Sequence, residues 1–355
     1  MGHRSLDTIE RLRNFNHVEP TAIDLFSGCG GLTLGLKQAG FKVVGAVEID
    51  PLAVETYRQN HPEVSVWDQD IRKITGPKIL KALGLIRGQL DLLAGCPPCQ
   101  GFSSMRRLNG KRRIRDDQND LIFEYLRLVR SLRPKTLMLE NVPGLCQNYR
   151  MPKLRAELHK LGYKVSAEVK DARHYGVPQR RRRLILMAAL RAQVPFASRA
   201  KCKRTVRYAF GKLGSKRAKD DPLHNLSEKR SNKVQSIIRK IPKNGGSRSE
   251  LRKSQQLKCH QKFDGFHDVY GRMAWDEVSP TITGGCCNPS KGRFLHPTKN
   301  RTITLREAAL LQTFPPNYYF SLQRGKFPAA QMIGNALPPE FIRRHAAQIA
   351  KHLNT

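Results

Sequence analysis

Through the first half of the chain, short apolar runs alternate with amphipathic stretches, and the two periods predict alternating strands and helices. Runs at residues 21–26, 43–48, 90–96, 136–140 and 184–188 read as strands buried on both faces. Between them, at 32–39, 51–60, 120–132 and 152–161, apolar residues recur at helical spacing. Such alternation predicts a doubly wound α/β sheet, whose ligands sit at the carboxyl ends of the strands. A glycine-rich turn at 28–31, Glu48 and Cys99 all fall at those ends.

The texture then changes. Residues 199–262 hold 20 lysines and arginines against 4 acidic residues, few long apolar runs, and breakers at Pro242 and Gly245-Gly246. They read as a basic module inserted in a sheet protein, or as a disordered basic linker. An amphipathic helix closes the chain at 340–353, and 355 residues suffice for two lobes. Overall, 64 Lys and Arg against 29 Asp and Glu give a net charge of +35, so the expected partner is a polyanion, nucleic acid ahead of a membrane surface. No apolar stretch reaches the length of a membrane span, and residues 1–15 lack the apolar core of a signal peptide. The expectation is a cytoplasmic protein whose 8 cysteines are thiols.

Asp24-Leu25-Phe26-Ser27-Gly28-Cys29-Gly30-Gly31 follows a strand and opens a helix, a turn that lets backbone approach a nucleotide-like ligand. The dinucleotide fingerprint fails, because its third glycine would fall at Thr33. Glu48 ends the next strand, where a carboxylate can accept ribose hydroxyls, and Asp70 ends a third short segment, placed for an adenine amino group. Together they point to an adenosine ligand without a pyrophosphate.

Pro97-Pro98-Cys99-Gln100 ends an apolar run, and Glu140-Asn141-Val142 ends the next one. A cysteine and a carboxylate on neighbouring strand ends can attack an electron-poor ring, the thiolate adding while the carboxyl group hydrogen-bonds a ring nitrogen. Cys96-Pro97-Pro98-Cys99 also reads as a redox pair or half a zinc site. The zinc-deaminase pattern, tested with His61-Pro62-Glu63, breaks where Gly95 stands in place of proline, so no metal is expected. Gln179-Arg180-Arg181-Arg182-Arg183 enters a strand and alternates, which puts Arg181 and Arg183 on one face. Arg106, Arg107, Lys111, Arg112, Arg113 and Arg115 follow Cys99 as a basic loop suited to close over a nucleic-acid backbone.

Together these blocks resemble the DNA cytosine-5 methyltransferase family, over most of the chain outside the basic module. The resemblance rests on the turn at 24–31, Glu48, Asp70, Pro98-Cys99-Gln100, Glu140-Asn141-Val142 and Gln179-x-Arg181-x-Arg183. It extends to Arg306-Glu307 through Gln312-Thr313-Phe314-Pro315, and to Gly334-Asn335-Ala336-Leu337-Pro338-Pro339. It implies a Rossmann-like class I methyltransferase sheet with a smaller basic target-recognition domain. The catalytic domain would span 1–190, the recognition domain 191–305, a hinge 306–330, and a returning segment 331–355. S-adenosylmethionine would be the cofactor and S-adenosylhomocysteine the product. Phe26, Ser27, Gly28, Gly30, Gly31, Glu48, Ile49, Asp70, Ile71, Pro98 and Asn335 would line its site.

By the same resemblance Cys99 adds to carbon 6 of a flipped-out cytosine, so that carbon 5 can take the methyl group. Glu140 would contact ring nitrogen 3 and the exocyclic amine, Arg183 the base carbonyl, and Arg181 would support the loop and the intermediate. Gln100, Arg113, Arg115 and Gln179 would touch nucleic acid; Gln118, where relatives often carry arginine, shifts lid contacts to Arg113 or Arg115. Residues 264–275 and 284–291 are the candidate recognition loops. Expected partners are double-stranded DNA and a cognate restriction nuclease, with the enzyme a monomer acting at the bacterial nucleoid. Two alternatives are an RNA (tRNA) cytosine-5 methyltransferase and a DNA-binding regulator that keeps the fold.

Overall fold

The computed structural model describes residues 19–98, 120–227, 229–257, 261 and 267–355. Cys99, Gln100, Arg113 and Arg115 lie outside the described residues.

Seven strands form one sheet in the order β3-β2-β1-β4-β5-β7-β6. These are β1 (Thr21–Leu25), β2 (Lys42–Val47), β3 (Ser65–Trp67), β4 (Leu92–Gly95), β5 (Thr136–Asn141), β6 (Lys164–Asp171) and β7 (Arg182–Ala189). The first five run parallel, and β7 runs antiparallel between β5 and β6. Reversal of β7 has a functional consequence. Asn141 pairs with Leu184 and Glu140 with Ile185, so the start of β7 lies at the carboxyl end of β5. The Arg-rich entrance to β7 therefore joins the edge at which the parallel strands end.

Both faces of the sheet are covered. On one side α3 (Gly76–Leu83), α4 (Leu121–Leu132) and α5 (Arg150–Lys160) bury Ile79, Leu126, Val129 and Leu154. On the other, α1 (Gly31–Gln38) packs with the last helix, α12 (Pro339–Leu353), through Leu32, Leu36, Phe341 and Ile342. A Cβ on Gly35 of α1 would sit 2.6 Å from Ile342, so that crossing depends on the missing side chain. α2 (Pro51–Asn60) completes this layer, its first turn capped by the Asp50 carboxylate on the Leu52 amide. Val194 and Ala197 belong to this layer too, so the chain beyond residue 190 first runs back over the sheet.

The second lobe carries the short helices α6 (Val206–Gly211), α7 (Ser215–Asp220), α8 (Pro222–Asn225) and α9 (Asn232–Lys240). α10 (Leu305–Leu311) and α11 (Lys326–Asn335) pack into one cluster with Val206, Ala209, Leu213 and Leu223. α10 is buried at all seven positions and opens on a capping box between Thr304 and Glu307. Residues 306–330, read as a hinge, are thus built into the core of that lobe. Among the described residues its only β pairings are isolated bridges, including Arg272 with Leu295.

Arg272 organises the lobe instead. Its guanidinium donates to the carbonyls of Ile238, Ile241, His296 and Lys299 and to Asn300 Oδ1, at 2.7–3.0 Å. All five N–H donors of the side chain are spent on these bonds. Arg272 lies within a stretch read as a recognition loop, but it is fully buried and cannot reach a base.

Candidate active site

The turn after β1 is built by short-range necessity. Asp24, fully buried, accepts from the Thr33 amide at 3.1 Å and the Thr33 hydroxyl at 2.7 Å, so the chain's own carboxylate meets the N-terminus of α1. This explains why Thr33 stands where a dinucleotide site has glycine. Burial pushes the Asp24 carboxyl up to about 7, against the lowering effect of the Thr33 bonds. Gly30 caps α1 at φ 89°, a left-handed conformation, and a Cβ there would lie 2.6 Å from His61 Nε2. A Cβ on Gly31 would lie 2.5 Å from the Leu337 carbonyl, so the returning C-terminal segment is seated on the turn.

Glu48 closes the same pocket. Its Oε2 accepts from the Gly28 amide at 2.7 Å, and its Oε1 from the Ile49 and Asp50 amides at 2.9 Å each. Phe26 holds a left-handed backbone at φ 61° and is half-buried, Ser27 donates its amide to Val47, and Gly28 has open space where a Cβ would stand. Ile49 is 61 % exposed, an uncovered apolar side chain beside Glu48. This open, part-apolar, carboxylate-edged cradle fits an adenosine group.

Two other expected residues are otherwise engaged. Asp70 caps a short turn and is bonded through both oxygens to Arg72, which holds its carboxyl below the usual range. Ile71 is a core side chain, buried with Ile74 and Ile79.

Glu140 stands at the carboxyl end of β5, 2 % exposed. Arg183 Nε lies 2.8 Å from its Oε1, an ion pair whose angle falls short of a hydrogen bond. Cys96, one residue beyond β4, donates its thiol to Oε2 at 2.8 Å. The Asn141 amide donates to the Pro97 carbonyl at 3.1 Å, tying the strand of Glu140 to the segment that leads to Cys99. Pro98, half-buried, is the last described residue before that cysteine.

Arg181 and Gln179 both turn inward onto the protein's own backbone. Arg181 is 2 % exposed, and its guanidinium donates to the carbonyls of Ile282 (3.0 Å), Gly334 (3.1 Å) and Asn335 (3.4 Å). Burial, then the neighbouring Arg183 charge, lowers its pKa to about 9. It braces backbone from two segments and so positions the site. Gln179 was expected at the nucleic acid but is fully buried. Its Oε1 accepts from the Ile282 amide at 2.9 Å and its Nε2 donates to Gln312 Oε1 at 2.8 Å. No face of Gln179 is left for a ligand. Asn335 is exposed at the end of α11, and its carbonyl takes the Arg181 bond.

Sequence reasoning passed over two contributors. Cys96 was visible in the Cys-x-x-Cys spacing but was weighed only as a redox or zinc partner. Tyr318 gave no signal; its hydroxyl donates to the Cys29 carbonyl at 2.6 Å and meets His61 Nε2 at 3.0 Å, bracing the turn from behind. His61 Nδ1 faces the Lys37 ammonium at 3.1 Å, so both ring nitrogens have partners within the protein.

Comparison with known proteins agrees with this geometry. The profile of the family described as C-5 cytosine-specific DNA methylase matches residues 21–351. Type II methylase M.HgiDII of Herpetosiphon aurantiacus is 36 % identical over 345 residues, covering 93 % of this chain and 95 % of the relative. Type II methyltransferase M1.HphI of Haemophilus parahaemolyticus is 33 % identical, covering 94 % and 87 %. A solved structure of a putative DNA modification methyltransferase encoded within an Escherichia coli prophage superposes with a TM-score of 0.67 at 26 % identity, covering 95 % of this chain and all of that one. The Dnmt2 methyltransferase of S. pombe shares the fold, with a TM-score of 0.62 at 20 % identity and coverage of 95 % and 100 %.

Proposed function

Because the chain belongs to the C-5 cytosine-specific DNA methylase family and is a DNA (cytosine-5)-methyltransferase, we propose a course for its reaction on a flipped-out cytosine. The observation that carries it is the convergence of Glu140, Arg183 and the Pro97-Pro98 segment at one edge of the sheet, beside the cradle of Gly28 and Glu48.

S-adenosylmethionine, when bound, supplies an electrophilic methyl group on a sulfonium. Phe26, Glu48 and Ile49 would hold its adenosine part. Asp70 would do so only by exchanging one of its Arg72 bonds for the adenine amine.

The thiolate of Cys99 adds to carbon 6 of cytosine, and the electron pair of the 5,6 double bond moves toward carbon 5 and the ring. Glu140 shares a proton with ring nitrogen 3 and accepts from the exocyclic amine, stabilising the ring as charge develops. Arg183, paired with Glu140, would hold the base carbonyl. Carbon 5 would take the methyl group as the sulfonium's carbon–sulfur bond breaks and S-adenosylhomocysteine leaves; a water-assisted base then removes the carbon 5 proton, and the returning electron pair expels Cys99. The enzyme acts as a monomer on duplex DNA in one sequence context. The cost of unstacking the base, roughly a few kcal/mol, is offset by phosphate contacts of the basic lobe. The names of the relatives support a place beside a cognate nuclease.

The test is incubation with S-adenosylmethionine and an unmethylated plasmid, followed by mapping of 5-methylcytosine at base resolution. Modified cytosines in one recurring sequence are expected. DNA bound but unmodified, with transfer RNA modified instead, would overturn the assignment of substrate.

A further inference from the structure

Cys96 has no part in the reaction just described, yet it meets the catalytic carboxylate directly. Its Sγ lies 2.8 Å from Glu140 Oε2, while Arg183 faces Oε1. Burial, then the neighbouring Glu140 charge, pushes the Cys96 thiol well above its usual range, so it stays protonated and is a donor rather than a nucleophile.

A carboxylate oxygen buried without a donor is costly, and one held by a strong donor resists any newcomer. A thiol is the weakest side-chain donor that meets the first need. We propose that Cys96 is a positioning residue: in the empty site its thiol orients Glu140 through Oε2, and it yields that oxygen to the target cytosine. The inference rests on the reading that Glu140 contacts the base.

The groups facing Glu140 are few among the described residues. Arg183 and Arg181 approach from the start of β7 and Cys96 from the end of β4, while the Asn141 amide is spent on Pro97. Among the described residues Cys96 is therefore the one neutral donor on the carboxylate, at Oε2.

The test compares Cys96→Ala, Cys96→Ser and Glu140→Gln, each confirmed folded by its thermal transition, in steady-state methyl transfer from pH 5.5 to 9. Cys96→Ala is expected to lose about tenfold in kcat, the size of one hydrogen bond to a charged group. Cys96→Ser keeps kcat within about threefold of wild type, since the donor is kept. Its loss falls on KM for DNA, because a hydroxyl holds Oε2 more firmly. A wild-type kcat in Cys96→Ala, with Glu140→Gln inactive, overturns the positioning role alone. So does a serine variant as impaired as alanine, since the donor would then not matter. Full activity in Glu140→Gln overturns the reading of Glu140 beneath it.

Discussion

Replacing His345 with phenylalanine should make the fold less sensitive to acid while leaving it intact at neutral pH. His345 lies on α12, enclosed by Tyr175, Phe341 and Phe196 at ring-centre distances of 4.7, 4.9 and 6.0 Å. Its Nδ1 accepts a long bond from the Ala197 amide at 3.4 Å, and Nε2 has no hydrogen-bond partner among the described residues. Burial, helped by the charges of Lys170 and Arg344, lowers its pKa from 6.5 to about 3.

A histidine depressed in this way is neutral when folded and protonated when unfolded. Its stability contribution is whole above pH 6.5 and is lost as the pH falls toward 3. At pH 5 the loss is about 2 kcal/mol, since each pKa unit is worth about 1.4 kcal/mol. Phenylalanine cannot titrate. At pH 7.5 it forfeits only the weak Ala197 bond, about 0.5–1 kcal/mol, and gains an apolar edge in an aromatic cage. Urea unfolding followed by circular dichroism at pH 7.5 and pH 5.0 measures both terms. His61 and His296, each lowered to about 4, act in the same direction as His345. Asp24, raised to about 7, opposes them, gaining stability as the pH falls from 7 toward 4. All three are common to both proteins and cancel in the comparison. Equal losses in wild type and variant between the two pH values would refute the argument.

Three further outcomes are expected. Cys99→Ala abolishes methyl transfer yet binds DNA with nearly unchanged affinity in a gel-shift titration, and loss of both together would mark Cys99 as structural. DNA affinity falls roughly a thousandfold or more between 50 and 200 mM salt, as for six or more phosphate contacts, whereas a flat salt response would remove the basic lobe from binding. Gly31→Ala forces the Leu337 carbonyl away from the turn, at about 1–3 kcal/mol, and weakens S-adenosylmethionine binding about tenfold by calorimetry. Unchanged cofactor affinity there would detach the C-terminal segment from the cofactor site.

What the sequence revealed follows from burial. β1, β2, β4, β5 and β7 lie inside the sheet and read as unbroken apolar runs. β3 is three residues at one edge, and β6 at the other alternates half-exposed polar residues, so neither stood out as a strand. Glu48 and Glu140 were legible because strand ends are where the fold collects chemistry. The roles of Gln179 and Arg181 were not. A run of arginines looks like a solvated surface, and only tertiary contacts show that Arg181 turns inward onto backbone carbonyls while Gln179 accepts from the Ile282 amide. The bond between Cys96 and Glu140 depends on the parallel pairing of β4 with β5, which brings two separate strand ends together.

Arg272 also bears on how such a protein can change. A lobe held in register by a strand ladder would constrain every loop that the ladder joins. Here one interior guanidinium gathers four carbonyls from two stretches of chain, and the loops between them answer to no common register. Lengthening such a loop costs only the slow logarithm of closure entropy. Outer loops of this lobe can thus be exchanged while the interior arginine, and Glu140 and Arg183 in the sheet, stay as they are.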